Sequence, residues 1–223
     1  MVFIKINLSI PQGFPAHTNL DTLKALIKKC KDAGASKILV GSYTYENIPV
    51  NRVADFLGLK TFCKGVGADF VVLDNSDLYL EKKISRQDLV EKKFSTMTKV
   101  EVSEGNIEVP EVILEADKMI ILNQVNVHPL FDFTLSLLSS YSMVPNSYQK
   151  IKNFSCNNYT NSTEGSQDDY KKNLSSRIID IFSVRKPDLV INDLFYLMEK
   201  AGPFIFKDSN LKKTNLIVLG NDA

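Results

Sequence analysis

Short runs of consecutive apolar residues alternate along this chain with stretches whose apolar positions recur every three or four residues. That alternation predicts strands separated by helices. Residues 2–8 form a β-branched, apolar run around Lys5 and Asn7, which reads as a strand. Pro11, Gly13 and Pro15 then break it into a loop. Asn19 follows as a helix cap, and Leu20, Leu23, Leu26, Ile27 and Cys30 fall on one helical face. Gly34 ends that helix and residues 37–40 form a short buried strand, completing a βαβ unit with parallel strands and a right-handed crossover. A polar loop at 41–47, a helix at 52–62 and an apolar strand at 69–73 repeat the pattern.

The middle of the chain reads differently. Residues 79–84 and 99–102 have the pattern of edge or hairpin strands, and the charged segment 86–94 between them reads as a solvated helix face. Residues 108–115 lead into a central apolar strand at 119–122. The strongly apolar stretch 130–138, with Phe131, Phe133, Leu135 and Leu137, reads as a buried helix. Residues 146–167 are rich in Asn, Ser, Thr and Tyr and read as a long mobile polar loop. A helix at 168–184, a strand at 189–191, a turn or short helix at 193–200 and a last strand at 215–219 complete the chain. The expected fold is α/β: a mostly parallel sheet with helices on both faces and a small antiparallel insertion, in a single domain spanning 1–223.

Composition narrows the function classes. The 223 residues are 44% hydrophobic, which is enough for a proper core, and 27 basic against 26 acidic residues leave a net charge of +1. That balance gives no support for nucleic acid or a membrane surface as partner. Apolar runs fall well short of the roughly 20 residues of a membrane span, and the chain opens directly on a strand pattern, so a cytoplasmic protein is expected. Cys30, Cys63 and Cys156 are scattered, with no paired spacing. They predict neither a disulfide framework nor an iron–sulfur cluster held within this chain.

Candidate chemistry lies where apolar strands end. Asn7 and Ser9 follow the first strand, Ser42 the second and Asp74 the third. His128 follows the central strand and Asp193 the later one. In a parallel sheet these positions share one rim, where loops and helix starts gather around ligands. His128 is the natural acid–base candidate, because imidazole titrates nearest neutrality; a structural histidine capping the turn before Pro129 is the plainer alternative. His17 reads as a surface loop histidine, with a second ligand beside His128 as the alternative. Lys5, inside an apolar strand, either reaches out from an edge or lines a pocket, since a buried lysine is costly. Asp193 and Glu199 supply carboxylates near Gly202-Pro203, although turn capping also explains Asp193. No phosphate loop, dinucleotide glycine fingerprint, nucleophile elbow or zinc-protease motif occurs.

Several segments, in order, resemble the domain-of-unknown-function family 362 of bacteria and archaea, often found beside ferredoxin-type iron–sulfur modules. Ile4-Lys5-Ile6-Asn7-Leu8 resembles its I-K-P-N-L, and Pro15-Ala16-His17-Thr18 its P-A-T-T loop. Ala33 to Ile38 resembles A-G-A-K-x-I, and Glu115-Ala116-Asp117 through His128 resembles E-A-D-x-x-I-N-L-P-K-x-K-T-H. Thr134 to Leu137 with Val144-Pro145, then Pro187 to Asp193 and Met198-Glu199 with Gly202-Pro203, resemble later family motifs. The chain departs from the pattern at Asn123-Gln124-Val125-Asn126-Val127, where the family has P-K-x-K-T, and at Leu138-Ser139, where it has K-N. The resemblance implies a small anionic or metal-containing ligand at the strand-end rim, with Lys5, Asn7, Thr18, Asp193 and Glu199 as binding residues and His128 as acid or base. Any redox role then involves a ferredoxin-like partner. The departures favour a degenerate, non-catalytic binding or assembly domain as the alternative. The segment ending at His128 also distantly resembles the amino-terminal domain of nickel-pincer lactate racemases.

Overall fold

A computed structural model describes residues 1–45, 48–73, 97–103, 105–128, 130–145, 148, 164–200 and 209–221. Its centre is a six-stranded sheet. The strands are β1 (Val2–Lys5), β2 (Ile38–Gly41), β3 (Asp69–Phe70), β6 (Lys118–Gln124), β9 (Leu189–Asp193) and β12 (Ile217–Gly220), counting every strand in chain order. Spatially they run β12-β9-β6-β1-β2-β3. All neighbouring pairs are parallel except β12 on β9. Val2, Phe3, Ile4 and Met119 to Leu122 are buried in the middle of this sheet. Each large side chain there contributes roughly 1.5–3 kcal/mol by leaving water.

Helix α1 (Leu20–Asp32) links β1 to β2. Asn19 caps it, its side-chain oxygen accepting the Asp21 N–H at 2.9 Å, and Leu23, Leu26, Ile27 and Cys30 form its buried face. The chain leaves α1 through Gly34 at φ +88°, a conformation glycine adopts without strain. The expected helix at 52–62 is two helices, α2 (Val50–Phe56) and α3 (Leu59–Val66), because Gly58 takes φ +66° between them. The strand expected at 69–73 is ordered as strand only over Asp69–Phe70.

The antiparallel excursion is present as the hairpin β4 (Met97–Val102) with β5 (Gly105–Pro110), followed by one helical turn, α4 (Glu111–Leu114). Residues 79–84 and 86–94 lie outside the described residues. The buried helix expected at 130–138 is not formed. Instead β7 (Val127–His128) pairs antiparallel with β8 (Asp132–Phe133), and only Ser136–Ser139 is helical, as α5. Phe133 and Leu135 are 56% and 48% exposed, so the apolar residues there alternate across a hairpin rather than lining a helix face. A 3₁₀ turn, Ser140–Met143, continues α5.

Helix α6 (Glu164–Val184) begins four residues earlier than the pattern suggests, shortening the expected polar loop; of residues 146–163 only Tyr148 is described. The turn or short helix expected at 193–200 is a strand, β10 (Tyr196–Glu199), paired antiparallel with β11 (Asn210–Lys213). Of the β10 side chains Met198 alone is buried and the others are half-buried, as a two-stranded ribbon lying on the core allows. Right-handed crossovers set α1 and α3 on one face of the sheet and α5 and α6 on the other; α1 touches α3, and α6 touches α5 and the 3₁₀ turn.

Candidate functional site

The chain leaves β1 toward β2 on one side of the sheet and leaves β6 toward β9 on the other. The two connections diverge at the carboxyl ends of β1 and β6, the crevice position where doubly wound sheets hold ligands. Asn7 spans that crevice. Its side-chain oxygen accepts the Gln124 N–H at 3.2 Å, and its Nδ2 donates to Asn123 Oδ1 at 3.2 Å and to Gln124 O at 3.4 Å. Its own backbone N–H donates to Thr18 Oγ1 at 2.8 Å, and the Thr18 N–H returns to Asn7 O at 3.3 Å. These bonds fold the Pro/Gly loop back over the rim.

Lys5 lies beneath Asn7, on the face carrying α5. It is 1% exposed, and its Nζ donates to Ser139 Oγ at 2.6 Å. Burial pulls the amine down from its ordinary value to about 7, because a charge is poorly solvated in the interior. Among the described residues no carboxylate pairs with it. Ser142 Oγ, 3.3 Å from Ser139 O, lies 3.2 Å from Ser42 Oγ. Asn123, at the end of β6, donates to Thr134 O at 2.7 Å and to Asn192 Oδ1 at 2.9 Å. Lysine, serine hydroxyls and asparagine amides thus gather on this face, the amides and most of the hydroxyls already bonded within the protein and the Lys5 amine carrying the charge that suits an anion.

The face carrying α1 has a different character. Asp193 is buried; Thr22 on α1 donates to its Oδ2 at 2.5 Å, and the Phe195 N–H to its Oδ1 at 2.9 Å. Gln124 Nε2 donates to Tyr196 O at 2.9 Å and to Asp193 O at 3.3 Å. Asn126 Nδ2 donates to Pro15 O at 3.2 Å and to Gln124 O at 3.5 Å. Every partner of these two amide nitrogens is a carbonyl, so flipping either amide would set oxygen against oxygen. The orientation is fixed, and Gln124 Oε1 and Asn126 Oδ1 are left buried without a partner among the described residues. Each such oxygen costs about 1–3 kcal/mol.

The remaining sequence candidates make other contacts. His128 sits in the β7–β8 hairpin, opposite Asp132, rather than at a helix start. Its Nδ1 accepts the Leu130 N–H at 3.2 Å, which places the proton of the neutral ring on Nε2. Its ring lies 5.4 Å from that of Phe131, over which Lys171 is placed at 5.8 Å. Burial lowers its pKa. Among the described residues no hydrogen bond joins it to Lys5, Asn7, Thr18 or Asp193. Glu199 ends β10 at the surface, 3.4 Å from Lys212 Nζ and bonded by Asn210 at 3.3 Å. His17 is buried and donates from Nδ1 to Thr18 O at 2.6 Å, bracing the loop; burial lowers its pKa. Asp74 lies outside the described residues.

Gln124, Asn126, Ser139 and Ser142 were not among the residues the pattern singled out. The legible signal was a run of amides directly after a buried strand. Among the described residues no three His, Cys, Asp or Glu side chains gather to hold a metal. Cys30 and Cys63 are free and buried, and burial raises both thiols. Among the described residues no helix is long and apolar enough to cross a membrane. Residues 2–223 match the family described as Domain of unknown function (DUF362). No curated protein matches the chain.

Proposed function

This chain belongs to the DUF362 family, and we propose that it binds a small anionic or metal-containing molecule at the crevice between β1 and β6. The observation that carries this reading is Lys5: a buried amine at the carboxyl end of a central strand, with no carboxylate partner among the described residues. A bound anion supplies the missing countercharge. Ser139 Oγ accepts from Lys5, so its own hydroxyl hydrogen is turned outward as a further donor to the anion. Asn7 and Thr18 shape the rim, Asp193 anchors the end of β9 to α1, and Lys5 receives the negative group. His128 stands apart as an acid–base candidate with Nε2 as its exchangeable position. Any redox role in this reading draws on a ferredoxin-like partner, as the family resemblance implies.

A second reading, a non-catalytic binding or assembly domain, is favoured by one observation. Neutral Gln124 and Asn126 stand where the resemblance has lysines, and both are fully engaged through their nitrogens. Thermal denaturation against sulfate, phosphate and acetate tests the binding claim. The expected result is stabilisation that rises with anion concentration in the native protein and is lost in Lys5→Met. Equal stabilisation of both proteins by every anion would contradict it.

A further inference from the structure

We propose that the α1 side of the same rim is a separate site for a small organic ammonium group, held by Gln124 Oε1 and Asn126 Oδ1. Both oxygens are buried acceptors without partners among the described residues, and the carbonyls around each nitrogen forbid the flip that would turn them into donors. What they lack is therefore a donor, and an anion cannot supply one.

The two amides occupy one corner. Gln124 is tied to Tyr196 O and Asn126 to Pro15 O, while the rings of Phe14 and Tyr196 meet edge to face with centroids 5.8 Å apart. Lys213 Nζ already lies 5.9 Å from the centre of the Tyr196 ring, so an ammonium is recognised here by its N–H groups at the two amide oxygens rather than by the rings. Potassium shares the charge but has no N–H and demands a fuller shell of oxygens. Lys5 belongs to the opposite face, where it meets Ser139 on α5, whereas Asp193 beside Gln124 meets Thr22 on α1. The inference therefore does not depend on the anion site.

The test is an NMR titration of the full chain with methylammonium chloride, following the side-chain amide signals of Gln124 and Asn126, with potassium chloride and sodium acetate as parallel arms. Saturable shifts of both amides with methylammonium are expected, with potassium weaker. Gln124→Met should weaken methylammonium binding by about tenfold or more, while Lys5→Met leaves it unchanged and abolishes anion binding. That contrast separates failure at this corner from failure of the anion reading. If methylammonium shifts neither amide in the native protein, or if potassium or acetate acts as strongly, the proposal is overturned. The native titration decides the matter even if Gln124→Met fails to fold.

Discussion

Lys5 combines a long cationic side chain with a place in the middle of an apolar sheet, and its proton equilibrium records the conflict. Its folded value near 7 lies well below the ordinary 10.5. Between those values the unfolded chain holds a proton that the folded chain has released, so stability must rise with pH across that window. Below about pH 7 both states are protonated and the cost of burying the charge is fully present. The slope in the window reaches up to about 1.4 kcal/mol per pH unit. Denaturant unfolding of the native protein and Lys5→Met from pH 6 to 10 should show a rising difference in favour of the native chain; parallel curves would show that Lys5 stays charged when buried. Lys5 was legible as a candidate because a lysine interrupts an apolar run. Its partner Ser139 was not, since 134 residues separate them and only the fold joins them.

At the scale of elements, local signals were read best where one residue sets a boundary. Asn19 caps α1 as its position suggests, and Asn19→Ala should cost about 1 kcal/mol in chemical denaturation; an unchanged midpoint would show that the cap contributes nothing. Asp188 fixes the start of β9. Desolvation raises its carboxyl, but bonds from Lys118, the Met119 N–H and Arg185 outweigh that and hold it at about 2. Its contribution is present above the ordinary carboxylate value and is lost as pH falls toward 2. Asp188→Asn should therefore lower stability at neutral pH by about 1–2 kcal/mol and flatten the loss between pH 4 and 2, measured by thermal melts. An unaltered acid limb would remove Asp188 from that role. Residues 130–138 were misread because their apolar spacing fits both a helix and a hairpin. The cross-hairpin bonds that decide it, such as the Thr134 N–H to Asn126 O at 2.8 Å, leave no trace in composition. The ribbon at β10 was missed for the same reason: its partner strand begins at Asn210.

For the whole molecule, strand order matters more than any one element. The alternation of apolar runs and helical periods predicted a mostly parallel sheet covered on both faces, and the sheet has that form. The order β12-β9-β6-β1-β2-β3 was not legible, yet it decides which candidates meet. It brings Asn7 to Asn123 and Gln124, residues 116 and 117 positions away in sequence. The same order sets the buried Lys5 amine on one face of the rim and the unpaired Gln124 and Asn126 oxygens on the other. The central claim is that the crevice between β1 and β6 receives an anion whose charge Lys5 answers. Its most direct test is an NMR titration of the Lys5 side chain with and without sulfate. The account predicts an apparent pKa of about 7 in the free protein and a clear rise, with proton uptake, once sulfate is bound. A Lys5 that titrates near 10.5 in the free protein, or whose titration is the same with saturating sulfate, would contradict it.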